Sequence, residues 1–83
     1  AVNDSVLLKL REIKDNLTPA EKRAAEYVIS YPEEVPRYSV NKLAMKSKTS
    51  NASVIRLCKT MGYEGYRQFI LSISAELASR TNE

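Results

Sequence analysis

The stretch Ser39-Val40-Asn41-Lys42-Leu43-Ala44-Met45-Lys46-Ser47-Lys48-Thr49-Ser50-Asn51-Ala52-Ser53-Val54-Ile55-Arg56-Leu57-Cys58-Lys59-Thr60-Met61 decides how this chain is read. Ser39 can cap a short helix from Val40 to about Lys46, with Val40, Leu43 and Ala44 facing inward. Lys46-Ser47-Lys48-Thr49 is a polar break of a few residues. Ser50 can cap a second helix, Asn51 to Met61, which Gly62 closes where a left-handed residue is wanted.

A short helix, a tight polar turn and a capped helix with small residues at its start form the layout of a helix-turn-helix, at about residues 40–61. The second helix of such a unit enters a major groove about 12 Å wide. Its N-terminal end must meet DNA, where free backbone N–H groups and the positive end of the helix dipole favour phosphate. Ser50, Asn51, Ala52 and Ser53 suit that end, because small side chains let the backbone approach. Val54, Leu57, Cys58 and Met61 share one face and are expected to bury against the preceding helix. Asn51, Ala52, Ile55, Arg56, Lys59 and Thr60 fall on the other sides. Arg56 can donate two hydrogen bonds to guanine, Asn51 can pair with adenine and Ala52 can touch a thymine methyl. These three are the candidate base-facing residues. Ser39, Lys42, Lys46, Lys48, Thr49, Ser50, Ser53 and Lys59 are the candidate phosphate contacts, which position the domain without reading sequence.

Outward from this stretch the pattern stays helical. Val6, Leu7, Leu10, Ile13 and Leu17 recur at helical spacing, predicting a helix from about Asp4 to Asp15. Thr18-Pro19-Ala20-Glu21 is a strong start signal: Thr18 caps, Pro19 fits the first turn and Glu21 reaches back to the Thr18 amide. That helix runs to about Ser30. Tyr31-Pro32-Glu33-Glu34-Val35-Pro36, bracketed by prolines, holds at most one short turn of helix. Tyr63, Tyr66, Phe69, Ile70, Ile73 and Leu77 line a last helix from about Gly65 to Ser79. The polar tail Arg80-Thr81-Asn82-Glu83 is expected to fray. The expectation is one all-α domain, residues 1–83, of five helices plus a proline-bounded turn.

Composition narrows the function. The chain has no histidine and one cysteine, Cys58. Cys/His zinc sites, an internal disulfide and any imidazole-dependent catalytic group are therefore excluded, and no catalytic residue, cofactor or metal is expected. Apolar runs are too short for a membrane span or a signal peptide, which points to the reducing cytoplasm. Residues 37–67 hold seven Lys/Arg against one acid, Glu64, within a chain of net charge +3. So basic a middle third fits a polyanion-binding surface, although charge alone equally fits a solvated lysine-rich face. Cys58 lies in the Val54/Leu57/Met61 stripe, which favours a buried, inert thiol over a redox sensor. The aromatic residues could form a stacking platform, but Tyr63, Tyr66 and Phe69 share helical spacing with Ile70 and Ile73, which favours core. Tyr38, before the Ser39 cap, is the one tyrosine placed near a phosphate.

Ser39-Val40-Asn41-Lys42-Leu43-Ala44 and Ser50 to Tyr66, above all Gly62-Tyr63-Glu64-Gly65-Tyr66, resemble the N-terminal domain of RpiR-type transcriptional regulators. Leu17-Thr18-Pro19-Ala20-Glu21-Lys22 and Tyr27-Val28-Ile29-Ser30-Tyr31-Pro32 fit the same pattern, so the resemblance covers about residues 6–78. It implies a bacterial, usually dimeric regulator of sugar or amino-sugar catabolism. It further implies a C-terminal sugar isomerase (SIS) domain that binds a phosphosugar effector. Eighty-three residues cannot contain that domain, so the chain is expected to be part of a longer protein. Two positions depart from the family pattern: Lys42 stands where an acid is frequent and cannot complete a capping box, and Thr49 replaces a small aliphatic residue.

A single helix-turn-helix contacts few base pairs, so a homodimer on a palindromic double-stranded operator, with half-sites about 34 Å apart, is the expected arrangement. The apolar stripes of the first helix (Val6, Leu7, Leu10, Ile13) and the last (Ile70, Ile73, Leu77) are the candidate dimer surfaces. The alternative is a small helical protein–protein interaction module without DNA binding. The basic middle third and the small-residue start of the Asn51 helix favour DNA.

Overall fold

The computed structural model describes residues 5–81, with side chains described as far as residue 79. The predicted start of the first helix at Asp4 and the Asn82-Glu83 end of the tail lie outside the described residues. Five helices appear, and no strand among the described residues: α1 Val6–Ile13, α2 Pro19–Ser30, α3 Val40–Ser47, α4 Asn51–Thr60 and α5 Tyr66–Thr81. Two short 3-10 turns, Lys14–Asn16 and Val35–Arg37, complete the elements of the described residues. The second is the proline-bounded turn, and it seats Val35 fully inside. The polar tail was expected to fray, but its first two residues continue α5 through Thr81.

Local chemistry explains where the helices start and stop. The Thr18 side chain accepts from the Glu21 amide while the Glu21 carboxylate accepts from the Thr18 amide, a complete capping box with Pro19 at the first helical position. Ser5, Ser39 and Ser50 each accept the amide three residues on, capping α1, α3 and α4. After α4, Gly62 adopts φ +98°, its amide donates to the Lys59 carbonyl and the Tyr63 amide to the Cys58 carbonyl. This paired closure satisfies carbonyls that the helix end leaves orphaned.

The core is built at the crossing of α2, α3 and α4, with α1 and α5 laid across it. Leu10, Ala25, Val28, Leu43, Val54, Leu57, Phe69 and Ile73 are fully buried. Ala24 and Ala25 on α2 and Ala44 on α3 are the small residues that allow close helix approach. The proposed dimer stripes need correction here. Val6, Leu7, Leu10 and Ile73 are buried within this one chain, and Ile13, Ile70 and Leu77 pack partly buried against the same core. Five helices around one centre each turn an apolar face inward, so these stripes are used within the chain.

Candidate nucleic-acid interface

The turn between α3 and α4 is tighter than the expected four-residue polar break. Ser47 belongs to α3 and is buried, its hydroxyl donating to the Leu43 carbonyl at 2.7 Å and lying 3.1 Å from the Thr49 hydroxyl. Lys48 then takes the left-handed conformation at φ 61°. Its amide donates to the Met45 carbonyl and the Thr49 amide to the Ala44 carbonyl, the bond pattern seen again at Gly62. Arg23 of α2 donates to the Lys48 carbonyl at 3.4 Å, tying the turn to the core helix. At the other end of α4, Lys9 of α1 donates to the Met61 carbonyl at 3.4 Å. A cation at a helix C-terminus is favourably placed against the dipole.

Between these ties α4 divides as its spacing predicts. Val54, Leu57 and Cys58 are fully buried and Met61 nearly so. Burial pushes the Cys58 thiol up to about 12, which keeps it protonated and unreactive. On the opposite side Asn51, Ala52, Ile55, Arg56, Lys59 and Thr60 line one open, shallow concavity. The three candidate base-facing residues, Asn51, Ala52 and Arg56, thus share one exposed surface.

Of the candidate phosphate contacts, Ser39, Lys42, Lys46, Lys48, Ser50 and Lys59 are exposed, while Thr49 and Ser53 are half-buried. The Ser50 and Ser53 hydroxyls are 3.1 Å apart at the start of α4. The Thr49 hydroxyl is engaged by Ser47, so it faces into the turn. Tyr38, placed near a phosphate on sequence grounds, has its hydroxyl engaged internally: it donates to Glu34 at 2.9 Å and lies 3.5 Å from the Tyr27 hydroxyl. These bonds raise its pKa, the Tyr27 contact more than that to Glu34. Tyr63, Tyr66 and Phe69 pack in or against the core, as their spacing predicts. Among the described residues the only ion pair is Lys22–Asp15, at 3.4 Å. The cations of residues 42–59 are therefore not neutralised by neighbouring carboxylates.

Ser47, Arg23 and Lys9 were not anticipated as parts of this region. A buried serine in a polar run looks like turn, and the two long cations look like solvated helix faces. Their partners lie up to 52 residues away, beyond any local signal.

A three-helix core whose second and third helices meet at a tight turn and expose the last helix along a basic flank defines a helix-turn-helix domain of the transcription-regulator class. The chain matches the family described as the helix-turn-helix domain, rpiR family, over residues 4–80, and it belongs to that family. It is 38% identical over 78 residues to an HTH-type transcriptional regulator of Caldanaerobacter subterraneus subsp. tengcongensis, covering 94% of this chain and 28% of that protein. The crystal structure of the N-terminal domain of the transcriptional regulator YbbH from Bacillus subtilis superposes with a TM-score of 0.86. The two are 30% identical, and 93% of this chain and 94% of that one are covered. The Vibrio vulnificus NanR protein, solved in complex with ManNAc-6P, superposes with a TM-score of 0.87 at 29% identity, over 90% of this chain and 28% of that one. The chain thus spans under a third of the full-length regulators it matches.

Proposed function

We propose that this chain is a sequence-specific, double-stranded-DNA-binding module that lays α4 in the major groove. The observation that carries the reading is the division of α4: its apolar face is spent in the core, and Asn51, Ala52 and Arg56 share the exposed face with Lys59. Arg56 and Asn51 would read base edges with Ala52 against a thymine methyl. Ser39, Lys42, Lys46, Lys48, Thr49, Ser50, Ser53 and Lys59 would hold the phosphate backbone, with Thr49 the weakest of them, since its hydroxyl is engaged by Ser47 and its amide by the Ala44 carbonyl.

One helix-turn-helix contacts few base pairs, so one copy would cover a single half-site. Two half-sites about 34–36 Å apart need a second copy, so a homodimer on a palindromic operator follows. In the longer protein a C-terminal sugar isomerase domain would bind a phosphosugar and shift operator affinity. An amino-sugar phosphate is the favoured class, since NanR was solved with ManNAc-6P. The module itself carries no reaction, and its place of action is the bacterial cytoplasm.

Fluorescence anisotropy of a labelled duplex, titrated at several salt concentrations, tests the reading. Affinity should fall with salt at a slope of about −0.9 per phosphate neutralised. Arg56→Ala should lose about 1–3 kcal/mol on the preferred sequence and discriminate less at one base position. Lys46→Ala should weaken all sequences alike and flatten the slope by about one unit. Absence of salt-dependent binding, in the chain and in a covalently tethered dimer alike, would leave the interaction-module alternative.

A further inference from the structure

Lys42 is exposed in the first turn of α3, and its ammonium lies 5.2 Å from the centroid of the Tyr38 ring. Both the ring and the backbone of Tyr38 are held. The Tyr38 hydroxyl donates to Glu34, the Tyr27 ring lies 6.4 Å away, and the Tyr38 amide donates to the Val35 carbonyl. The Tyr66 hydroxyl of α5 donates to the Tyr38 carbonyl at 2.9 Å. Three elements, α2, the Val35–Arg37 turn with its cap Glu34, and α5, therefore hold Tyr38 in place beside the cap of α3.

A lysine side chain free in solvent samples many rotamers and loses up to about 2 kcal/mol of entropy on being fixed. A ring face restrains the ammonium without consuming its N–H donors, because the attraction is to the π quadrupole. A carboxylate would restrain it too, but would neutralise it. Lys42 has no ion pair among the described residues, and the nearby Glu34 is engaged by the Tyr38 hydroxyl. The arrangement gives a pre-positioned cation that no carboxylate neutralises and that keeps N–H donors open to solvent.

Building on the DNA-binding reading above, we propose that Tyr38 is a positioning residue that holds the Lys42 ammonium ready for a DNA phosphate. Tyr38 touches no nucleic acid itself. It lowers the ordering cost of a contact made by its neighbour four residues on.

A double-mutant cycle on the 83-residue chain tests this, with a labelled mixed-sequence duplex as probe. Lys42→Ala should weaken binding and flatten the salt slope by about 0.9. Tyr38→Leu should weaken binding about two- to fivefold when Lys42 is present, the range expected of an exposed cation–π contact, and have no effect in the Lys42→Ala background. Tyr38→Phe, which keeps the ring, should retain the coupling. Equal weakening by Tyr38→Leu in both backgrounds would make Tyr38 mere scaffold and overturn the proposal. So would an unchanged affinity and slope for Lys42→Ala while the wild-type chain binds. Failure of the wild-type chain to bind would instead overturn the DNA-binding reading. Should Tyr38→Leu not fold, proton NMR of the wild-type chain decides: ring-current upfield shifts of the Lys42 methylene protons are expected, and random-coil shifts would overturn the proposal.

Discussion

Lys48 and Gly62 occupy the same kind of position, the left-handed residue after a helix, yet only one is glycine. An L-residue there is disfavoured by about 1–2 kcal/mol, because its Cβ crowds the following carbonyl. The long cation at the α3–α4 turn thus persists against backbone preference, as expected where a side chain serves a function outside the fold. Lys48→Gly should raise stability by about 1 kcal/mol in chemical denaturation while flattening the salt slope of DNA binding by about 0.9. Greater stability with unchanged binding would remove Lys48 from the interface. Cys58 gives a pH dependence of definite sign. Its folded pKa of about 12 stands above the ordinary 9.0, so between those values the unfolded chain releases a proton that the folded chain keeps. Stability should fall as pH rises from 9 towards 12, and Tyr66, raised to about 12 by burial and by the neighbouring Cys58, adds to the same fall. A thiol reagent at pH 8 should leave Cys58 unmodified until denaturant unfolds the chain. Rapid modification of the folded chain would contradict its burial.

At the scale of elements, the closure of α4 isolates a single backbone term. A Cβ built on Gly62 meets nothing within 4 Å, so Gly62→Ala is penalised only by φ +98°. Thermal denaturation should show a loss of about 1–2 kcal/mol, and the folded protein should bind DNA as before. A larger loss would imply a clash absent from this geometry. The same elements explain how much was legible in the sequence. Thr18-Pro19-Ala20-Glu21, Ser39, Ser50 and Gly62 are signals that act within a few residues, so the helices and their order could be read from them. The two faces of α4 were also legible, since buried Val54, Leu57 and Cys58 alternate with exposed Asn51, Ala52 and Arg56 at helical period. The turn was not. Ser47 joins the helix because its hydroxyl bonds back to the Leu43 carbonyl, which lets a polar side chain sit in the core. Nothing in Lys46-Ser47-Lys48-Thr49 announces that bond, nor a lysine in a glycine conformation. The apolar stripes of α1 and α5 were visible, but what covers them depends on tertiary packing, and here the chain covers them itself.

At the scale of the whole molecule, α1 braces the two ends of the domain. Lys9 holds the carboxyl end of α4, while Glu76 of α5 accepts from the Ser5 hydroxyl at 2.8 Å and the Val6 amide at 2.6 Å. Glu76 thus places a carboxylate at the amino end of α1, where a negative charge is stabilising. Charge-assisted bonds of this kind are worth about 1.5–3 kcal/mol, so Glu76→Ala should lower stability by roughly that amount, and Glu76→Gln by less. An unchanged denaturation midpoint would mean that the bonds are not sustained in solution. The Val6 amide has a particular consequence. As the first amide of α1 it has no carbonyl partner within its own helix, and its hydrogen-bond partner lies 70 residues away on α5. Its exchange with deuterium therefore requires only separation of α1 from the far turns of α5, not melting of either helix. One proton thus counts the opening of that junction, and its exchange rate gives the free energy of parting Glu76 from the start of α1 while the rest of the domain stays folded.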